Sequence, residues 1–370
     1  MEIIHVVLGK ANPERMNGVN KVVHQLATQQ VMAGRKVTVW GITRDTTANY
    51  PARNFDTVLF RTAGSKFTLN PEISVAIAAQ AGKQVVYHLH GGFNPEMYSV
   101  ARELRKQQQK YVFTPHGAYN TIALRKSYLR KKIYFRLFEK KLLKGAAAIH
   151  SLGESEVKGL QQIFPNNKSV QVPYGFTAPE IVKTTRSLEP FIIGFCGRID
   201  IYTKGLDLLL HAFARVSKKI PGAKLWIIGG GKEEARLKKI IRHLNIEQEV
   251  QLFGALFGEE KDRVMDRFTL FTHPSRNEGL PTAVLEAAGR GIPCVVTAAT
   301  NTATVINQYN AGITITTPGK NELYKAILQL SEKLCGNGYA AIAQNARRMV
   351  TEAFNWKEIV HRFDQLYLHQ

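Results

Sequence analysis

Residues 274–286 read Pro-Ser-Arg-Asn-Glu-Gly-Leu-Pro-Thr-Ala-Val-Leu-Glu and follow the apolar run Leu270-Phe271-Thr272-His273. The order predicts a strand end, a tight loop, and a helix whose first turn opens at Pro281. Proline's fixed φ suits a helix start, and its missing N–H would have had no partner there. The free N–H groups of that turn and the positive end of the helix dipole form a site for an anion. Two carboxylates frame it, Glu278 in the loop and Glu286 in the helix. A carboxylate does not hold a phosphate; it accepts hydrogen bonds from hydroxyl groups. The stretch therefore points to a sugar joined to a phosphate, with a capped surface helix carrying two solvated acids as the plainer alternative.

Outward from this stretch, short apolar runs alternate with helical patterns. In the N-terminal half the strand candidates are 3–8, 36–40, 58–60, 84–89, 111–114, 146–151 and 169–172, with helices near 19–33, 71–81 and 95–109. In the C-terminal half they are 191–197, 224–228, 250–253, 270–272, 293–297 and 313–316. Such alternation predicts an α/β protein with doubly wound parallel sheets. Ligands of these sheets sit at the carboxyl ends of the strands. A chain of 370 residues exceeds the length at which one core keeps growing, so two domains are expected. Their boundaries are read as 1–176 and 191–353, with a linker at 177–190 where the Pro- and Gly-containing stretch loses its period, and a last helix at 354–370.

Bulk properties narrow the class. With 44% apolar and 21% charged residues the composition is that of a soluble globular protein. No run of 18 apolar residues occurs, and Met1-Glu2-Ile3-Ile4-His5 reads as a first strand rather than a signal peptide. Cys196, Cys294 and Cys335 are scattered without a C-x-x-C pair, which argues against a disulfide framework or a zinc site and for a reducing cytoplasm. The 50 Lys and Arg against 29 Asp and Glu leave a net charge of +21. That surplus attracts polyanions, whether nucleic acid, an anionic lipid leaflet or phosphorylated substrates. Much of it is concentrated in 122–144, a segment with helical propensity in which the apolar Leu129, Ile133 and Leu137 recur at four-residue spacing among nine basic residues. Long basic side chains there can snorkel around an apolar face to reach lipid phosphates; a solvated helix covering the sheet is the equal alternative.

Several strand ends carry residues with chemistry. Gly197-Arg198-Ile199-Asp200-Ile201-Tyr202-Thr203-Lys204-Gly205 places a planar, bidentate cation and a compact one in a single turn, which suits a diphosphate. Gly229–Gly231 permits close backbone approach without completing the dinucleotide fingerprint, so NAD binding gains no support. Polar loop 9–19 ends in Asn17-Gly18, while His88, His90 and His116 stand before or near glycines at two further strand ends. Histidine titrates near neutrality and can present its ring to a cleft, although local packing is the more ordinary role for His88 and His90.

The Glu278–Glu286 segment closely resembles the E-x7-E segment of retaining glycosyltransferases of the GT-B fold, in particular glycosyltransferase family 4, and 197–205 resembles that family's G-R-x-x-x-x-K-G segment. The resemblance is strong over 191–297 and weak before residue 112. It implies two Rossmann-like domains facing each other across a cleft, with the last helix crossing back to the first domain. By this likeness Arg198 and Lys204 neutralise the leaving diphosphate, Glu278 and His116 position the donor sugar, and Glu286 takes the ribose hydroxyls. Gly279, Leu280 and Pro281 lie against the sugar or phosphate, Gly197 and Gly18 border the donor, and the main chain around Gly254–Leu256 contacts the base. Two departures stand out: Asn17 replaces one glycine of a family Gly-Gly pair, and Ala298–Val305 replaces a Gly-Gly-acid continuation.

The implied reaction moves a hexose-type sugar from a nucleoside diphosphate sugar, UDP ahead of GDP, to an acceptor hydroxyl with retention. The implied acceptor is a saccharide or lipid-linked saccharide in bacterial surface-polysaccharide synthesis at the inner face of the cell membrane. No metal or other cofactor is expected, since the two cations can serve the diphosphate. A sugar-nucleotide epimerase on the same fold is a second reading. A basic nucleic-acid-binding protein is a third, disfavoured because no stacking platform or reader motif accompanies the basic residues.

Overall fold

The computed structural model describes residues 1–13, 18–120, 123–124, 127–180, 188–335 and 338–368, so Asn17, Arg125 and Lys126 lie outside the described residues. The chain forms two compact units, one of residues 1–175 with 356–370 and the other of residues 176–355.

In the first unit β1 (Glu2–Leu8), β2 (Lys36–Thr43), β3 (Asp56–Arg61), β4 (Val85–His90), β5 (Tyr111–Thr114), β6 (Ala148–Ser151) and β7 (Ser169–Gln171) form one sheet in the order β3-β2-β1-β4-β5-β6-β7. All its pairings are parallel. The continuous apolar runs of β1 and β2 suit strands covered on both faces, and Ile4, Val6, Trp40, Tyr87, Leu89 and Phe113 form the centre of one core cluster. The helix Trp356–Leu368 belongs to this unit: Arg35 makes a forked ion pair with Asp364, with Nη2 2.8 Å from Oδ2, and Trp356 fills the space beside Gly175.

In the second unit β8 (Ile192–Cys196), β9 (Lys224–Ile228), β10 (Val250–Gly254), β11 (Leu270–His273), β12 (Cys294–Thr297) and β13 (Gly312–Ile315) form a parallel sheet in the order β10-β9-β8-β11-β12-β13. Two apolar clusters cover it, one around Phe195, Phe213 and Leu225, the other around Phe268, Phe271 and Val296. The order reverses beside β8, the first strand. The loops after β8 and β11 therefore leave the carboxyl ends of neighbouring strands, the edge at which such sheets take ligands.

Two local expectations are corrected. Pro281 does not open the helix: the helix spans Thr282–Gly289, and Pro281 precedes it with an extended ψ of 105° while its carbonyl accepts the Val284 N–H at 3.0 Å. The basic segment is not one regular helix. Its described part runs as Tyr128–Tyr134, a widened i→i+5 turn at Phe135–Glu139, and Lys140–Gly145. The wide turn accompanies the inward-facing Glu139, whose carboxylate accepts from the Phe93 N–H at 2.8 Å and the Tyr119 hydroxyl at 2.6 Å.

Candidate active site

The loops at the carboxyl edge of the second sheet are stapled together by backbone. Gly229, at φ +145°, lies so close to Gly197 that a Cβ would sit 1.9 Å from its carbonyl oxygen, and at Gly205, at φ +69°, a Cβ would sit 2.1 Å from the Pro274 carbonyl oxygen. Arg276 N–H donates to Thr203 O at 2.9 Å, and the Arg276 guanidinium grips Asp207 with two 2.8 Å bonds while lying over the Tyr202 ring. The segment 197–207 and the segment 274–281 are thus one rigid rim.

Lys204 and Glu278 meet on that rim. Oε1 of Glu278 accepts from Lys204 Nζ, from His273 Nε2 at 2.9 Å and from Ser275 Oγ at 3.1 Å. Burial alone would push this carboxyl up, but the His273 hydrogen bond and the Lys204 charge outweigh it and hold the group down to about 2. Glu278 is therefore a fixed anion. Its main chain is held as well: Asn301 Nδ2 donates to the carbonyls of Glu278 at 3.0 Å and Gly279 at 2.6 Å, and the Glu278 N–H donates to Ala299 O at 3.2 Å.

Glu286, buried in the helix Thr282–Gly289, is paired with Lys261 of the helix Gly258–Met265 at 2.8 Å. Burial works against the Lys261 charge, but Glu286 more than restores it. One turn further on, Arg290 bonds Asp262 at 2.5 Å, so the two helices are clamped by charge pairs. Arg198 contrasts with all of these. Its side chain is two-thirds exposed, with the guanidinium 3.7 Å from Asp200, whose other oxygen caps the short helix Ile201–Lys204. It is the cation on this rim left most open to a ligand.

Of the residues singled out from sequence, Gly197, Arg198, Lys204, Gly254, Leu256, Glu278, Gly279, Leu280, Pro281 and Glu286 lie in the second unit, and Gly18 and His116 in the first. The structure joins Lys204 to Glu278 directly, whereas Glu286 turns to Lys261. Gly254 accepts the Gly229 N–H at 2.7 Å, next to the Leu256 loop. Gly18 begins the helix Gly18–Met32. His116 sits half-buried in the left-handed region at φ +55°, with its ring against Tyr174 and Nε2 3.0 Å from His90 Nδ1. Burial, helped by the nearby His150, holds it down to about 3, so the ring is neutral near pH 7.

Sequence reading missed His273, Ser275, Lys261 and Asn301. Ser275 and His273 carried a usable signal, flanking Pro274 where β11 runs into the loop that holds Glu278. Asn301 lies in Ala298–Val305, where the family resemblance fades, and reaches the site because the loops after adjacent strands β11 and β12 run side by side.

Comparison with known proteins agrees with this architecture. A family model described as glycosyl transferases group 1 matches residues 178–349, and one described as glycosyl transferase 4-like domain matches 17–175. An uncharacterized glycosyltransferase of Methanocaldococcus jannaschii is 30% identical over 149 residues, covering 39% of this chain and 36% of that protein. The chain thus spans little more than a third of that relative's length. N-acetyl-alpha-D-glucosaminyl L-malate synthase of Bacillus anthracis is 23% identical over 305 residues, covering 79% of this chain and 77% of that protein. Among solved structures, Anabaena HepE in complex with UDP and glucose matches with a TM-score of 0.75 over 100% of both chains at 16% identity, a likeness of fold. With two adjoining family matches laid over two doubly wound parallel sheets, the chain belongs to the group 1 glycosyltransferases of the GT-B fold.

Proposed function

We propose that this chain transfers a hexose-type sugar from a nucleoside diphosphate, UDP ahead of GDP, to an acceptor hydroxyl with retention at the anomeric carbon. The observation that carries the reading is the Glu278 carboxylate, pinned by Lys204, His273 and Ser275 beyond the carboxyl end of β11, on the same rim as the exposed Arg198. A fixed carboxylate is an acceptor for sugar hydroxyls, and the cations beside it suit the diphosphate. As the bond from the anomeric carbon to the diphosphate oxygen breaks, negative charge grows on the leaving group. Arg198 and Lys204 stabilise that charge without reorganising, the electrostatic contribution that is commonly the largest in catalysis. Glu286, oriented by Lys261, takes the ribose hydroxyls and Gly279 to Pro281 line the donor, while Gly18 and His116 keep the donor- and sugar-contacting roles that the family resemblance implies. No carboxylate is assigned as nucleophile, and no metal is required. UDP and glucose in the HepE complex support a nucleotide-sugar donor.

The acceptor is proposed to be a saccharide or lipid-linked saccharide at an anionic membrane surface. Among the described residues no helix is long and apolar enough to cross a membrane. Tyr128, Leu129, Ile133 and Leu137 are nevertheless exposed among the exposed Arg130, Lys132, Arg136 and Lys140, a surface that can lie against lipid phosphates. Thermal-shift titration with UDP-, GDP- and ADP-sugars tests the donor, since a ligand that binds only the folded chain raises its apparent stability. Stabilisation by none of them would overturn the reading. Flotation with anionic and neutral vesicles tests the surface, and equal binding to both would remove the electrostatic argument.

A further inference from the structure

The interior of the first unit holds a chain of eight hydrogen bonds that runs from the Val172 carbonyl through His150, Thr114, His88, Tyr367, Gln30, His5 and His90 to His116. The spacing between partners is 2.6–3.2 Å throughout, and the participants come from β1, β4, β5, β6, two helices and the loop that holds His116. His5, His88 and His90 also bring ring nitrogens within 4.8 Å of one another, the spacing of a metal-binding cluster. Each of those nitrogens already has a protein partner in the chain, so the arrangement needs no ion to satisfy it.

The direction of every proton in the chain follows from its first link. A carbonyl only accepts, so His150 Nε2 must carry the hydrogen that lies 2.7 Å from Val172 O. A neutral imidazole has one N–H, which leaves His150 Nδ1 bare to accept the single hydroxyl hydrogen of Thr114. Thr114 Oγ1 must then accept from His88 Nε2–H, and bare His88 Nδ1 must accept from Tyr367 O–H. With its hydrogen committed, Tyr367 accepts from the Gln30 amide nitrogen, which turns Gln30 Oε1 toward His5 Nε2–H. Bare His5 Nδ1 accepts from His90 Nε2–H, and bare His90 Nδ1 accepts from His116 Nε2–H. Run backwards from a His116 protonated on Nδ1, every link also closes until the last, where a bare His150 nitrogen would face a carbonyl oxygen at 2.7 Å. That one contact excludes the opposite polarity. Neutrality is secured by burial, which lowers the proton affinity of all five histidines.

We infer that this chain fixes the tautomer of His116, keeping hydrogen on Nε2 and presenting a bare Nδ1 as a hydrogen-bond acceptor, with Tyr367 and Gln30 as the positioning residues that carry the polarity across from His150. The inference rests on the reading of His116 as a sugar-facing residue for its consequence: a bare Nδ1 accepts from a sugar hydroxyl, whereas a protonated one would repel that hydrogen. It also makes the carboxyl-terminal helix, through Tyr367, part of the wiring of a residue on a distant loop.

The test is 15N-histidine spectroscopy on the full chain near pH 7, where a protonated and a bare ring nitrogen differ in chemical shift and coupling. The wild-type spectrum should show His116 as the Nε2–H tautomer; an Nδ1–H tautomer or an imidazolium would overturn the inference. Tyr367→Phe cuts the anchored half from Gln30, His5, His90 and His116, and should convert one tautomer into a roughly equal mixture of both. Thr114→Val cuts the chain two links nearer its anchor and should do the same. A folded variant of either kind that kept the wild-type tautomer would sink the proposal, and if neither folds the wild-type spectrum still decides it. Turnover of His116→Ala separates the two claims: undiminished activity would remove the sugar-facing role and leave the wiring standing.

Discussion

His273 Nε2 donates a 2.9 Å hydrogen bond to Oε1 of Glu278, and its other ring nitrogen is buried without a partner among the described residues. The imidazole therefore serves Glu278 alone. With Lys204 on the same oxygen, a carboxylate that burial would neutralise is kept ionised.

Glu278→Gln should show both sides of that arrangement. The amide keeps the shape and removes the charge, so Lys204 loses its counter-ion in a partly buried site. We expect about 3–5 kcal/mol lower stability in denaturant titration, the range for breaking a buried pair. Turnover should fall at least about a hundredfold, as misplacing a reacting group does. Unchanged stability would show that Lys204 finds water instead.

Lys261→Met leaves Glu286 buried without the charge that orients it. If Glu286 takes the ribose, donor affinity should drop about tenfold, the equivalent of one charge-assisted hydrogen bond. The turnover number should move much less. Isothermal titration with the nucleotide and initial-rate kinetics separate the two, and a fall confined to turnover would reassign the pair.

Asn301 adopts φ +57°, so alanine there would add backbone strain to the loss of its amide. Asn301→Gly keeps the conformation and removes the side-chain hydrogen bonds to the Glu278 and Gly279 carbonyls. Turnover should fall about tenfold with a loss of stability near 1–2 kcal/mol. Full activity would mean that Ala299 and Ser275 suffice to hold the loop.

Stability should fall as the pH drops from about 6.5 towards 4. Burial lowers His5 and His150 to about 4 and His116 to about 3, and depresses His88 and His90 as well, so in that window the unfolded chain binds protons that the folded one refuses. Glu139 and Glu156 act in the opposite sense, because burial raises both to about 7 and the folded chain takes up their protons first. Five groups outweigh two, at about 1.4 kcal/mol per net proton per pH unit. Glu278 joins the acid-labile side only below about 4.5, where its depressed value begins to matter. Melting temperatures from pH 7.5 to 4.5 measure the slope, and a flat profile would mean that the histidines are hydrated.

Much of this was legible along the chain because it is local. Alternating apolar runs and helical periods specify parallel strands with crossover helices, since a strand covered on both faces must be apolar throughout. The cations of 197–205 and the carboxylates of 278–286 are recognisable because each motif is contiguous and its spacing is set by one turn. The details that local pattern did not give involve neighbours: Pro281 takes the cap position ahead of Thr282, and the widened turn of the basic segment ends at Glu139, whose carboxylate accepts from Phe93 and Tyr119.

What the sequence determined by itself is the fold class and the contiguous charged motifs, because backbone propensity and patterning act over a few residues. The pairings were decided by tertiary structure alone. Lys204 meets Glu278 across 74 positions, Lys261 meets Glu286 across 25, Asn301 reaches back to the Glu278 carbonyl, and the proton direction at His116 depends on Val172 and Tyr367. Charge and hydrogen-bond direction depend on distance in space and on the lack of competing water. Both are set only when the sheet brings the ends of its strands together.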